Sequence, residues 1–338
     1  MRILSFFTDL LHFLPAEFSH KLALNSLKFL YLIGILRLIV PDQKSKVNFN
    51  QVSRNQVFLS KLKNKVGFAA GLDKNGDYID CLALLGVGFI EVGTVTPNPQ
   101  PGNNKPRLFR NKKEKSLLNR LGFNNKGVDY LVKRLKARKC DVVIGSSIGK
   151  NFDTPNDRAY EDYLKCLEKV YEYTDYVAVN ISSPNTENLR ELSNSDYLKD
   201  LLNKIKVKQE SLSSLYGYKP IFIKISPDEP LEHLKEICNS VLFHKLDGII
   251  CSNTSADHDD LNGNGGLSGA PLKKIATDKL LFVKSIVKNE IPLMASGGVM
   301  NVHDFEEKIN SGADLVQVYT GFIFKGPELI KDLVNLRI

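Results

Sequence analysis

Several common signatures are missing from the sequence, and each absence removes a class of function. Five cysteines (Cys81, Cys140, Cys166, Cys238, Cys251) are odd in number and scattered over 338 residues with no CxxC pair. That argues against a disulfide framework or a thiolate zinc site and fits a reducing compartment. No GxGxxG follows a strand candidate, since the nearest stretch reads "GLDKNG", and no GxSxG elbow is present to mark a serine hydrolase. Within the first forty residues the longest uninterrupted apolar run, Phe29 to Leu36, is eight residues, against roughly 20 for a bilayer span. No small-residue cleavage site follows it, so neither a signal nor a transit peptide is expected. Low-complexity tracts and repeats of 20–50 residues are also lacking.

What is present is a globular composition, 43% hydrophobic and 25% charged, in a chain long enough for one large α/β domain or two ordinary ones. The net charge of +8 is unevenly placed. Residues 1–65 carry ten Lys/Arg and three Asp/Glu, leaving 36 basic and 35 acidic residues for the remainder. A near-neutral body speaks against a nucleic-acid partner. In "MRILSFFTDLLHFLPAEFSHKLALNSLKFLYLIGILRLIV" two helices separated near Pro15 are expected, the first with Ile3, Phe6, Phe7, Leu10, Leu11 and Leu14 on one face. Apolar faces interleaved with Lys/Arg predict a peripheral membrane-surface hairpin over residues 1–40. A helical pair packed on the body is the alternative. Residues 41–65 read as a connector.

From residue 66 short apolar segments alternate with helical ones. The strand candidates are 66–71, 89–94, 142–147, 176–181, 221–226, 248–253, 292–297 and 315–320, with helices such as 159–173, 196–212, 231–243 and 273–288 between them. Eight such pairs over residues 66–338 predict an α/β fold of the (β/α)8 barrel type, typically about 250 residues. Barrel active sites lie at the C-terminal strand ends. Those tips gather Lys74, Lys224 and several amides. Two lysines there need anionic company, either a ligand or an ion pair with Asp73 or Glu91. Glycines in "ASGGV", "VYTGF" and "GGLSG" stand by the last two tips and the sixth helix, where barrels commonly hold a phosphate.

A longer set of motifs, "AAGLDKNG", "IEVGTVTPNPQPGNNKPRLFR", "NRLGFNNKG", "IGKNFDTP", "VNISSPNT", "GGLSG" and "YTGFIFKGP", resembles the class 2, quinone-dependent, membrane-associated dihydroorotate dehydrogenases. The similarity runs in order along the whole chain. It implies an FMN-containing barrel that oxidises (S)-dihydroorotate to orotate in pyrimidine synthesis, giving electrons to a membrane quinone. It also implies a peripheral position on the cytoplasmic face of a bacterial-type inner membrane, and no metal.

Carried over position by position, the resemblance implies Ser183 as catalytic base. Lys74, Asn119, Arg120, Leu121, Gly122, Phe123, Asn180, Asn185, Asn253 and Thr254 would hold the substrate. Ala70, Gly71, Leu72, Asp73, Lys74, Thr94, Ser147, Asn180, Lys224, Ser252, Gly269, Gly298, Tyr319 and Thr320 would border FMN. Soluble class 1 relatives resemble the motif with Cys in the base position, so Ser183 sorts the chain to class 2. Ser147 departs from the family's usual Asn, Ser252 from Thr and Thr320 from Ser. Only the first loses an amide, which makes a direct flavin contact there doubtful or water-mediated. The implied chemistry removes a proton from C5 and a hydride from C6, the hydride passing to N5 of FMN. Amides and Lys74 then stabilise charge on the substrate, and Lys224 that on the reduced flavin.

Overall fold

The computed structural model describes residues 8, 10–40, 56–185, 195–259 and 263–336. Eight parallel strands close into a barrel in the order β1 (Val66–Phe68), β11 (Leu315–Val318), β10 (Leu293–Ser296), β8 (Gly248–Cys251), β7 (Ile221–Ile225), β6 (Tyr176–Asn180), β5 (Val143–Ile148) and β2 (Phe89–Val95). These are the eight expected segments, and the (β/α)8 reading holds. Several end earlier than their sequence windows. Position 319 starts a short helix at Thr320, and Gly71 and Gly297 turn the chain out of the strand direction at φ +98° and +105°. The four named helices are observed as Ala159–Tyr171, Ser195–Tyr216, Leu231–Phe243 and Lys273–Val287.

The barrel interior is filled from below by aromatic side chains. Phe89, Tyr176 and Phe222 are fully buried and pack edge-on, with Tyr176 and Phe222 rings 5.5 Å apart. Each ring occupies a slot left by a strand glycine. A Cβ on Gly67 would stand 2.3 Å from the Phe89 ring, one on Gly145 2.0 Å from Tyr176, and one on Gly248 2.2 Å from Phe222. Phe58, Leu59 and Leu62, in or just after a short helix at Gln56–Ser60, close the floor beneath them. The end of the expected connector is therefore packed under the barrel. Full burial of such a ring is worth roughly 1.5–3 kcal/mol.

Two additions flank the barrel. An antiparallel sheet of β3 (Leu108–Asn111), β4 (Ser116–Asn119) and β9 (Gly266–Gly269) roofs the C-terminal end. It went unread in the sequence because its strands are four residues each and two of β9's four residues are glycine. At the N-terminal side α1 (Ala16–Leu32) begins after Pro15 and is followed by α2 (Ile35–Ile39). Leu24, Leu27 and Leu36 are buried against the body. Glu17 pairs with Arg107, Nη2 to Oε1 at 2.9 Å, and the Arg110 guanidinium donates to Ser19 Oγ at 2.5 Å. Ile3, Phe6 and Phe7 of the expected first helix lie outside the described residues, as do residues 41–55. Among the described residues no helix is long and apolar enough to cross a membrane.

Gly145→Ala should force Tyr176 out of its slot and cost about 1–3 kcal/mol by overpacking. The loss is read from denaturant unfolding, and Gly217→Ala, where a Cβ would meet nothing within 4 Å, serves as the comparison for an open site at positive φ. Equal stabilities would remove the glycine slots as the organising feature of the floor.

Candidate active site

A cavity of about 1020 Å³, counting the space at its mouth, opens at the C-terminal end of the barrel beneath the roof sheet. It is lined on one side by amides and hydroxyls. Asn185 donates its Nδ2 to Asn119 Oδ1 at 2.9 Å, and Asn119 donates to the Gly266 carbonyl at 2.9 Å. Asn180 donates to Thr94 Oγ1 at 3.0 Å and accepts from Asn253 Nδ2 at 3.3 Å and from the Ser182 N–H at 3.2 Å. Thr254 N–H donates to Asn253 Oδ1 at 2.9 Å. Each amide therefore has its orientation set by a neighbour, which presents a fixed pattern of donors and acceptors to a ligand.

Ser183 lies in this wall, 5% exposed, directly after β6. Its Oγ accepts from the Asn185 N–H at 3.3 Å. Among the described residues no histidine lines the cavity, so no Ser–His arrangement is assembled among them. Lys74 reaches the cavity from the loop after β1. Desolvation by the surrounding protein pulls its ammonium down to about 8, Arg107 pushes further in that direction, and Glu17 opposes. On the far side of the ring Lys224 lines the cavity with its Nζ 3.7 Å from Glu91 Oε1. The ion pair with Glu91 weighed from the sequence is thus present, at a separation beyond a hydrogen bond.

The remaining lining is rich in glycine and small residues. Ala70, Gly71, Ser252, Gly269, Gly298, Tyr319 and Thr320 border the cavity there, with Leu121, Gly122 and Phe123 at the roof. Gly71 has φ +98°, and a Cβ on it would project beside the Tyr319 ring at 3.3 Å. Gly298, at φ +78°, touches Lys273 so closely that a Cβ would lie 2.3 Å from its Cα.

Four expected site residues do not reach this cavity. The Asp73 carboxylate turns back to accept the N–H groups of Asp77 at 2.9 Å and Tyr78 at 2.7 Å, and burial raises it to about 6. It is a turn-holding residue and not the partner of Lys74. Leu72 faces a second cavity on the α1 side. Ser147 is outside the lining and bonds to Thr94, hydroxyl to hydroxyl at 2.9 Å. Arg120 lies over the Phe109 ring, 5.2 Å from its centroid. Conversely, Leu108, Leu117 and Ser268 line the cavity from the unread roof sheet, and Gln317 from mid-β11. The one polar residue in the run "LVQV" was the available signal for Gln317.

The second cavity, about 1830 Å³ with its mouth, lies between α1 and the barrel. Its lining is apolar apart from a few groups, among them His12, Ser19, His20 and Arg110. His20 Nε2 is 3.1 Å from the Leu72 carbonyl, and burial draws its imidazole down to about 4, so it is neutral at ordinary pH.

Comparisons with known proteins point to one family. The model of the dihydroorotate dehydrogenase family matches residues 53–336. A relative from Coxiella burnetii named dihydroorotate dehydrogenase (quinone) is 46% identical over 331 residues, covering 95% of this chain and 93% of its own. One of the same name from Aliivibrio salmonicida is 49% identical over 282 residues, covering 81% and 84%. The crystal structure of DHODH from Eimeria tenella in complex with ferulenol superposes with a TM-score of 0.80 at 30% identity, covering 94% of this chain and 89% of that one.

The state of Lys74 gives a testable pH dependence. Its ammonium is present below about 8 and lost above, so the affinity of a small carboxylate for the cavity should hold below that pH and fall by up to about tenfold per unit above it. Lys74→Met should bind more weakly and flatten the profile, as followed by equilibrium titration. An unchanged alkaline slope in the variant would assign the titration to another group.

Proposed function

The chain belongs to the dihydroorotate dehydrogenase family, and from that premise we propose that it oxidises (S)-dihydroorotate to orotate on bound FMN, in pyrimidine synthesis, and passes the electrons to a membrane quinone. The observation that carries this reading is the meeting in one cavity of Ser183, Lys74 and four cross-bonded amides with a glycine-lined wall and Lys224.

The residues present fit FMN. Gly71 lines the cavity at φ +98°, a conformation side-chain-bearing residues rarely adopt, and lets the backbone approach a ligand closely. The glycines after β10 and β11 lie where barrels bind phosphate, and Lys224 in the same lining would offer its ammonium to the reduced flavin's charge. Bound FMN would accept the hydride from C6 and relay the electron pair to the quinone. Everything else is the work of the chain. Lys74 and the amides of Asn119, Asn185 and Asn253 hold the substrate carboxylate and carbonyls and stabilise the charge that grows there as C5 loses its proton. Ser183 Oγ takes that proton with the lone pair left by the Asn185 N–H, as its own hydroxyl proton passes on to water. General-base assistance of this kind is worth about 10²–10⁴-fold.

The second cavity supplies the quinone route. Its apolar walls suit an isoprenoid tail, while neutral His20 and Arg110 suit carbonyl oxygens. His20 touches the Leu72 carbonyl, one residue from Gly71 in the flavin wall. Half of the exposed large apolar side chains among the described residues, Leu10 to Leu38, lie on this segment, with Phe13 80% and Leu38 86% exposed. Such a surface, joined to local positive charge worth roughly 1 kcal/mol per basic residue near anionic lipid, supports peripheral membrane attachment.

Two variants test the two halves. Ser183→Ala should slow flavin reduction by dihydroorotate about 10²–10⁴-fold in single turnover while orotate still binds. A near-parent rate would remove Ser183 as base. Ala23→Trp, which fills the α1 cavity, should leave that half-reaction intact and cut reoxidation by a long-tailed quinone at least about tenfold. Unchanged quinone turnover would show that the passage is elsewhere.

A further inference from the structure

Beneath the cavity floor lies a fully buried acid that the proposed chemistry does not use. Glu91, on β2, is 0% exposed. Its Oε2 accepts from Gln317 Nε2 at 2.7 Å and from the Tyr176 hydroxyl at 3.0 Å. Its Oε1 has no hydrogen-bond donor among the described residues and faces Lys224 Nζ at 3.7 Å. A carboxylate held out of water normally gathers donors on both oxygens, because each one missing costs free energy. A pair built only for stability would close to hydrogen-bond distance. Here the ammonium stands off, near enough to feel the charge, and Lys224 also lines the cavity above. Glu91 is the only acid within 4 Å of it among the described residues.

We infer that Glu91 tunes the flavin through Lys224: it offsets part of the ammonium's charge and thereby makes the flavin harder to reduce than Lys224 alone would. Glu91 is a positioning and charge-setting residue and touches neither substrate nor cofactor. Reduction adds negative charge beside Lys224, which the cation favours and the carboxylate below it disfavours. Tyr176 and Gln317 limit the effect by drawing carboxylate charge toward Oε2. The inference rests on the reading that FMN binds in this cavity.

The test is equilibrium redox titration of the full-length holoprotein against a reference dye, after flavin content has been measured. Glu91→Gln keeps the size of the side chain and removes its charge. Its reduction equilibrium should move at least tenfold toward the reduced form, about 30 mV upward for a two-electron couple. Tyr176→Phe removes a donor from the carboxylate, leaves more charge facing Lys224, and should move the potential the other way. A purely structural role for Glu91 would lower stability in both variants without these opposite shifts. An unchanged or lowered potential in Glu91→Gln overturns the inference. If that variant does not fold with flavin, Tyr176→Phe decides, since an unchanged or raised potential also overturns it. Parent protein that cannot be loaded with FMN would instead refute the cofactor reading.

Discussion

The whole upper half of the molecule depends on how the barrel is plugged from below. Three glycines at 67, 145 and 248 admit three rings into the interior, and one of those rings carries a phenolic oxygen. That oxygen points up from Tyr176 to Glu91. The polar layer of Glu91, Gln317 and Lys224 therefore stands at a fixed height, and the space above it becomes a cavity because the floor cannot rise into it. Close packing of this kind transmits position well, since a core at crystal-like density has no slack to absorb a shift.

Above that layer, rigidity comes from amides bonded to one another. Asn185 fixes Asn119, and Asn253 fixes Asn180, so the strand ends of the barrel and the roof sheet are joined by side chains that also face the ligand. The roof is in turn tied to the N-terminal segment. Arg107 donates to the carbonyls of Pro101 and Asn103 at 2.6 and 2.9 Å while pairing with Glu17 of α1. The helix that borders the apolar cavity and the loop that borders the substrate wall thus share one guanidinium, and bidentate pairing of that planar group fixes direction as well as distance. The amide-lined cavity and the apolar cavity are two faces of one connected structure.

The barrel was legible in the sequence because each strand is a short apolar run that leads into polar or glycine residues, as "YVAVNISSP" does. Most of the cavity wall was legible for the same reason, once strand tips were known to converge. What failed was adjacency. Leu72 and Asp73 stand between Gly71 and Lys74 in sequence, yet the turn sends one to the α1 cavity and the other to backbone N–H groups. Arg120 stands between Asn119 and Leu121, and its guanidinium goes to a ring outside the wall. The contacts of Leu108 and Leu117 arise from a three-stranded sheet assembled from segments some 150 residues apart, for which neither strand carries a pattern of its own. The sequence offers Glu91 as an ion-pair partner for a barrel-mouth lysine, but the stand-off of 3.7 Å between Glu91 and Lys224 is a property of three dimensions only.

The most direct test of the account is anaerobic mixing of the full-length protein with dihydroorotate, followed by a single electron acceptor. The account predicts that dihydroorotate bleaches a bound flavin in one phase and that a long-tailed quinone restores the colour within turnover time, whereas fumarate and NAD do not. Restoration by fumarate or NAD at the quinone rate, or no bleaching by dihydroorotate in flavin-loaded protein, would contradict it.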